Sequence, residues 1–140
     1  MSAPAVAVSA DGKKFAAAWR DRRVGKEDKN VYWALSGGPR FAGDALVHEE
    51  TRGTQDHPAL AIDGSGTAWV AWEDDPERKK TASIRVRSSA PGSKDRLLSD
   101  PAEGAASFPA LAVGAGIVGV AYEVKLGEER KVIFRVVEGG

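Results

Sequence analysis

The chain has 140 residues, 42% hydrophobic and 29% charged, a composition that can build a core and is not that of a disordered segment. Twenty Lys and Arg balance twenty Asp and Glu, which excludes a globally basic nucleic-acid footprint and an acidic tail. Cysteine is absent, so disulfide frameworks, thiolate metal sites and cysteine nucleophiles are excluded as well.

Taken in chain order, Met1 to Pro4 shows no cationic segment leading into an apolar one, so no signal peptide is read there. A first run, Ala5-Val6-Ala7-Val8, follows Pro4. A turn at Asp11-Gly12 leads to Ala16-Ala17-Ala18-Trp19, which closes on Arg20 and Asp21. Two more short runs follow, Val31 to Leu35 and Ala45 to Val47. The same order then recurs: Pro58-Ala59-Leu60-Ala61-Ile62, the turn Gly64-Ser65-Gly66, Val70-Ala71-Trp72 closing on Glu73 and Asp74, Ile84 to Arg87, and Arg96 to Leu98. It recurs a third time as Pro109-Ala110-Leu111-Ala112-Val113, Gly114-Ala115-Gly116, Val120-Ala121-Tyr122-Glu123 and Val132 to Val136.

A repeat of this period sets the fold before any single element does. The runs are short, rich in β-branched and aromatic residues, and bounded by Gly, Pro, Asp or Ser, which is the strand signature. No segment carries a helical stripe. Apolar runs such as Phe15 to Trp19 and Ile117 to Tyr122 fall far short of the roughly 20 residues of a spanning helix, so no membrane partner is expected. The pattern predicts an all-β chain of three copies of a four-stranded antiparallel meander: about 1–53, about 54–104 and about 105–140, the last lacking its fourth strand. Alanines at 18, 71 and 121 let neighbouring sheets approach, and Trp19, Trp72 and Tyr122 fill the space between them. A radial stack of such sheets is a β-propeller.

The stretch from Pro58 to Asp74, with Ile84-Arg85-Val86-Arg87-Ser88-Ser89 after its charged loop, resembles a blade of the sialidase-like propellers, the BNR or Asp-box group. Trp19 to Arg23, Val31 to Ser36 and Gly37 to Phe41 extend the resemblance through the first repeat. Ser36-Gly37-Gly38-Pro39-Arg40-Phe41 keeps the serine, a glycine and an aromatic of the Asp-box turn but has no aspartate. Ser88-Ser89-Ala90-Pro91-Gly92 keeps less. The resemblance implies a six-bladed ring, which three blades cannot close. It follows that a second copy closes it about a two-fold axis along the channel, or that the chain is half of a longer propeller.

In such a meander the loop before the first strand and the loop between the second and third strands share one face. That face gathers the candidate ligand-binding residues Arg20, Asp21, Arg22, Arg23, Asp56, Glu73, Asp74 and Glu123, with Gln55, His57, Arg78 and Ser107 beside them. Guanidiniums mixed with carboxylates suit an anionic sugar or carboxylate ligand, a glycan or a protein partner; the same residues also suit local ion pairs. Catalysis of the sialidase type, which by the resemblance uses three arginines, a tyrosine and glutamate pair and an aspartate, is not expected. Tyr122 stands where Trp19 and Trp72 stand, and Tyr32 falls inside a strand, so both read as packing residues. Asp63-Gly64-Ser65-Gly66 reads as a hairpin turn rather than a calcium loop. Arg78-Lys79-Lys80 reads as a solvated loop, and His48 and His57 as loop residues. No cofactor, metal site or nucleic-acid partner is expected. The cytoplasm is the default compartment, or the exterior if a leader was removed. The expectation is thus a non-catalytic binding module that pairs with itself, with a glycoside hydrolase or a scaffold without ligand as the alternatives.

Overall fold

A computed structural model describes residues 3–23 and 27–137. Its first sheet contains β1 (Ala5–Val8), β2 (Phe15–Asp21), β3 (Asn30–Gly37) and β4 (Arg40–Leu46); its second, β5 (Thr54–Ile62), β6 (Ala68–Asp75), β7 (Ser83–Ser88) and the two-residue β8 (Arg96–Leu97). The third contains β9 (Ala105–Gly114), β10 (Ile117–Leu126) and β11 (Glu129–Val137). Every neighbouring pair is antiparallel and sequential in the chain, giving three meanders and the expected all-β half-propeller. One short 3-10 turn, Pro101–Glu103, was not expected; Asp100 caps it by accepting from the Ala102 N–H.

The repeat seen in sequence is a repeat in register. The residue after each repeat's proline pairs with the residue before its aromatic: Ala5 with Ala18, Ala59 with Ala71, Ala110 with Ala121. Innermost strands of successive sheets are neighbours, β1 against β5 and β5 against β9. Because side chains alternate across a pleat, each strand has one set for the preceding sheet and one for the following sheet. Ala16, Ala18, Val31 and Trp33 of the first sheet meet Leu60, Val70 and Trp72 of the second. Trp69, Ala71, Ile84 and Val86 leave the other side of the second sheet to meet Val120, Tyr122 and Val124 of the third. Trp72 and Tyr122 fill the inter-sheet gaps as expected, while Trp19 looks away from the stack and is only partly buried.

The two outer flanks break this pattern. Val31 and Ile84, paired to Arg20 and Glu73, are fully buried, and Trp33 and Val86, paired to Ala18 and Ala71, are 7% and 1% exposed. The corresponding residues of the third sheet, Val132 and Phe134, are 77% and 65% exposed, with Val136 at 49% beside them. On the opposite flank, Val6 and Val8 are 70% and 60% exposed where Leu60 and Ile62 of the second sheet are 9% and 7%.

His48 is a loop residue, as expected, just past the end of β4, but it is buried and pins the first inter-sheet core. Its Nε2 accepts the Val31 N–H at 2.9 Å, its Nδ1 donates to the Glu50 carbonyl at 2.5 Å, and its ring packs on Trp72. Both ring nitrogens are therefore used by the neutral tautomer with the proton on Nδ1. Burial pushes the imidazole below its ordinary value of 6.5, against the opposing pull of the Glu50 carbonyl, Asp95, Asp74 and Glu50. The residue before the second and third inner strands also carries a steric demand. Gly53 and Gly104 lie five residues ahead of Pro58 and Pro109, both at positive φ, and a Cβ on Gly53 would meet the Asp75 carbonyl and, at 2.5 Å, the Pro76 carbonyl. Only glycine fits there.

Two outcomes follow for stability. Since the folded value of His48 is lowered, its stabilising bonds are complete above about pH 6.5 and are lost as the pH falls through the folded value. Urea denaturation between about pH 7.5 and about pH 5, either side of a free imidazole's value, should show this loss, and His48→Ala should flatten it. At the upper pH that variant should lie about 2 kcal/mol below the native chain, since it leaves the Val31 N–H buried and unpaired. Gly53→Ala should cost about 2–3 kcal/mol, read as a lowered urea midpoint at unchanged slope.

Candidate functional site

The strand ends place the loop before each inner strand and the loop between the second and third strands of each sheet at one end of the stack. Three of the predicted site residues meet there. Arg20, at the end of β2, sends Nη1 to Asp56 Oδ2 at 2.9 Å, tying the first sheet to the second through a largely buried ion pair. Asp56 Oδ1 accepts the His57 N–H at 2.7 Å. Glu73, paired to Asp56 across the ladder, has Oε2 within 2.5 Å of His57 Nδ1 and accepts the Phe108 N–H of the third sheet at 3.3 Å. Burial pushes the Glu73 carboxyl above the usual carboxylate range, while the His57 charge pulls it back.

The sequence places His57 on this face; Phe108 is the residue that sequence reasoning missed at this end. Each immediately precedes its repeat's proline, and each adopts a left-handed backbone, φ +50° and +55°, beside a register shift in the ladder. His57 is on a strand, not in a loop. Their rings meet edge to face at 5.1 Å, and Phe108 remains well exposed. The repeated pre-proline position was the signal that could have found Phe108, since it aligns Ala3, His57 and Phe108 in the three repeats.

The other predicted residues lie in separate clusters. Asp21 holds Arg23, whose guanidinium also reaches Asp44 at 2.9 Å and lies 4.2 Å over the Tyr32 ring. Hydrogen bonding to Arg23 keeps the Asp21 carboxyl below its ordinary value. Arg22 is exposed. Asp74 is buried, accepting from Gln55 Nε2 at 2.9 Å and Arg85 Nε at 2.7 Å. Glu123 holds Arg130 at 2.5 Å on the third sheet. Arg78 reaches back to Asp28 of the first sheet's loop, and Asp28 also accepts the Gly53 N–H at 3.0 Å. The Arg78 to Lys80 loop is otherwise exposed, its turn held by Asp75 accepting from Lys79 and Lys80 N–H groups.

At the opposite end lies a cleft of about 840 Å³ between the inner hairpins, lined by Ile62, Trp69, Val113, Val118 and Val137. Asp63 is its carboxylate, and the turn consumes it: Oδ1 accepts from the Ser65 and Thr67 N–H groups, and Oδ2 from Trp69 Nε1 at 2.9 Å. Against the raising effect of burial, bonds from Ser65, Trp69 and Thr67 hold that carboxyl below its ordinary value. No cluster of three or more metal-ligating side chains occurs among the described residues.

No protein-family model and no curated protein matches the chain. Among solved structures it is similar to an endo-arabinase from Bacteroides thetaiotaomicron VPI-5482, with a TM-score of 0.61 at 11% identity, over 96% of this chain and 55% of that one. It also matches the hydrazine synthase of Kuenenia stuttgartiensis, with a TM-score of 0.48 at 16% identity, over 85% of this chain and 39% of that one. The chain thus spans about half the length of the endo-arabinase it resembles, and that likeness is one of fold: a propeller-like stack of antiparallel sheets.

The Arg20–Asp56 link generates its own outcome. Asp56→Ala should cost about 3 kcal/mol, because it strands a guanidinium that is mostly out of water. Adding Arg20→Ala should restore part of the loss, giving a coupling above about 1 kcal/mol in a double-mutant cycle.

Proposed function

We propose that the chain is a non-catalytic, sialidase-like propeller module that closes with a second copy of itself into a six-bladed ring and takes a glycan-like or anionic ligand, or a protein, at its loop face. The observation that carries this reading is the pair of outer flanks. The flank of the third sheet presents, at Val132 and Phe134, the positions that the first two sheets bury against the sheet that follows them. The flank of the first sheet presents, at Val6 and Val8, the positions that later sheets bury against the sheet that precedes them. The two flanks are therefore complementary halves of the inter-sheet contact already made twice in the chain. A two-fold axis satisfies both at once.

Exposed apolar faces of this kind mark interaction surfaces. The carbohydrate part of the reading rests on the motif resemblance and on a structural neighbour that is itself an endo-arabinase. The non-catalytic part is supported by how the candidate groups are engaged. Arg20, Arg23, Arg78, Arg85 and Arg130 each hold a carboxylate. Tyr122 is buried with its hydroxyl accepting from Arg135 Nε at 2.8 Å, and Tyr32 is buried beneath Arg23. Neither phenol is presented as a nucleophile.

Light scattering on the native chain should give the mass of two chains at micromolar concentration. Phe134→Asp, which places a charge on the flank without touching the internal cores, should give the mass of one. A native chain that stays single overturns the ring. Binding of a glycan by the dimer, screened on an immobilised glycan panel, tests the ligand, and turnover of a fluorogenic sialoside by the pure protein would overturn the non-catalytic reading.

A further inference from the structure

We infer that Glu123 makes the third link of a repeating ring of contacts at the loop end, and makes it in trans, by accepting a hydrogen bond from the backbone N–H of the partner's Ala3. The inference rests on the ring closure proposed above and adds a specific latch to it.

The positions after the three aromatics are Arg20, Glu73 and Glu123. In the first two sheets this side chain reaches forward to the segment just before the next sheet's proline. Arg20 bonds Asp56, two residues before Pro58. Glu73 accepts from Phe108, one residue before Pro109. Glu123 is placed as Glu73 is: Asp56 pairs with Glu73 and Ser107 with Glu123, and the ladder shifts register next to both pairs. Within the chain no fourth sheet follows the third among the described residues. In the closed ring the sheet that follows is the first sheet of the other copy, where Ala3 stands before Pro4 as His57 and Phe108 stand before theirs. Ala5 pairs with Ala18 as Ala59 pairs with Ala71, so the register that aligns Glu73 with Phe108 aligns Glu123 with the N–H of the partner's Ala3.

The chemistry of the carboxylate allows this without losing its present contact. Arg130 engages Oε1, and a carboxylate offers about four lone-pair sites. The link also fixes register, because the residue after Ala3 is proline, which has no N–H to offer. A slip of one residue toward Pro4 would leave Glu123 with no donor. The loop end of the ring is thus incomplete in a single chain, holding two links where a closed trimer of sheets on each side needs three.

The test uses the intact chain and measures the dimer dissociation constant by analytical ultracentrifugation. Because the two-fold ring holds two such links, Glu123→Ala should raise it about a hundredfold, the scale of two hydrogen bonds to a charged acceptor, while Glu123→Gln, which keeps an acceptor oxygen, should raise it about tenfold. Arg130→Ala should leave it within about twofold. As an independent reading, the cysteine-free chain carrying Ala3→Cys and Glu123→Cys should be joined into a covalent dimer by a short bis-maleimide, and neither single cysteine variant should be. If the native chain forms the two-chain particle but Glu123→Ala leaves the constant unchanged and the double-cysteine chain does not cross-link, the latch is overturned and the ring stands. If the native chain is single, the ring and the latch fall together.

Discussion

Every sheet in this chain is apolar on both faces, and that one constraint organises the rest. An antiparallel sheet with one wet face shows alternating apolar and polar residues along each strand. Here the alternation is between residues for one neighbour and residues for the other: Trp69 and Ala71 point one way, Val70 and Trp72 the other, and all four are buried. At roughly 25 cal/mol per Å² of apolar surface, a face left in water forfeits the largest favourable term available to it. The second sheet, covered on both sides, is the satisfied case, and the first and third each satisfy the constraint once.

Apolar stacking alone does not fix how far one sheet slides along the next, and the polar contacts supply that precision. Arg20 with Asp56, Glu73 with the Phe108 N–H, and Arg87 with the Val47 carbonyl each cross from one sheet to its neighbour. His48, in the segment just past β4, holds the Val31 N–H while its ring lies on Trp72. The loop-end contacts depend on backbone that a strand does not ordinarily adopt. Left-handed conformations at His57 and Phe108, side chains for which such φ values are uncommon, turn the chain out of the ladder just before a proline; the Phe108 N–H then meets Glu73 of the preceding sheet, while the His57 N–H meets its own neighbour Asp56.

The architecture was legible in the sequence because it is written as repetition: the proline, the alternating small and branched residues and the aromatic recur in the same order at spacings that differ by a residue per repeat, and the hairpin turn between them absorbs that difference so that the register is kept. The open flanks were legible for the same reason, as three blades cannot surround an axis. What the sequence did not disclose depends on long-range pairing. Nothing local marks that Arg20 will meet Asp56 rather than face solvent, or that Asp74 will turn inward onto Gln55 and Arg85 while Asp21 stays outside with Arg23. His48 carries no pattern at all, since its role comes from a buried N–H on a different strand. The candidate site was therefore found as a neighbourhood that included His57, with its internal connections and the pre-proline Phe108 unseen.

The outer edge of β11 has a consequence of its own. Among the described residues this nine-residue strand pairs only with β10, so its far side presents a row of unbonded backbone groups. Glu129, Arg130 and Lys131 guard one end with charge. Beyond them the strand is almost wholly apolar, and the one cation there, Arg135, bonds Tyr122 and Glu103 within its own chain. Covering the sheet's face would leave this rim bare. In the proposed ring, concentration would therefore act on the chain in opposite senses, favouring the closed pair that hides the faces and also edge-to-edge strand addition along this rim.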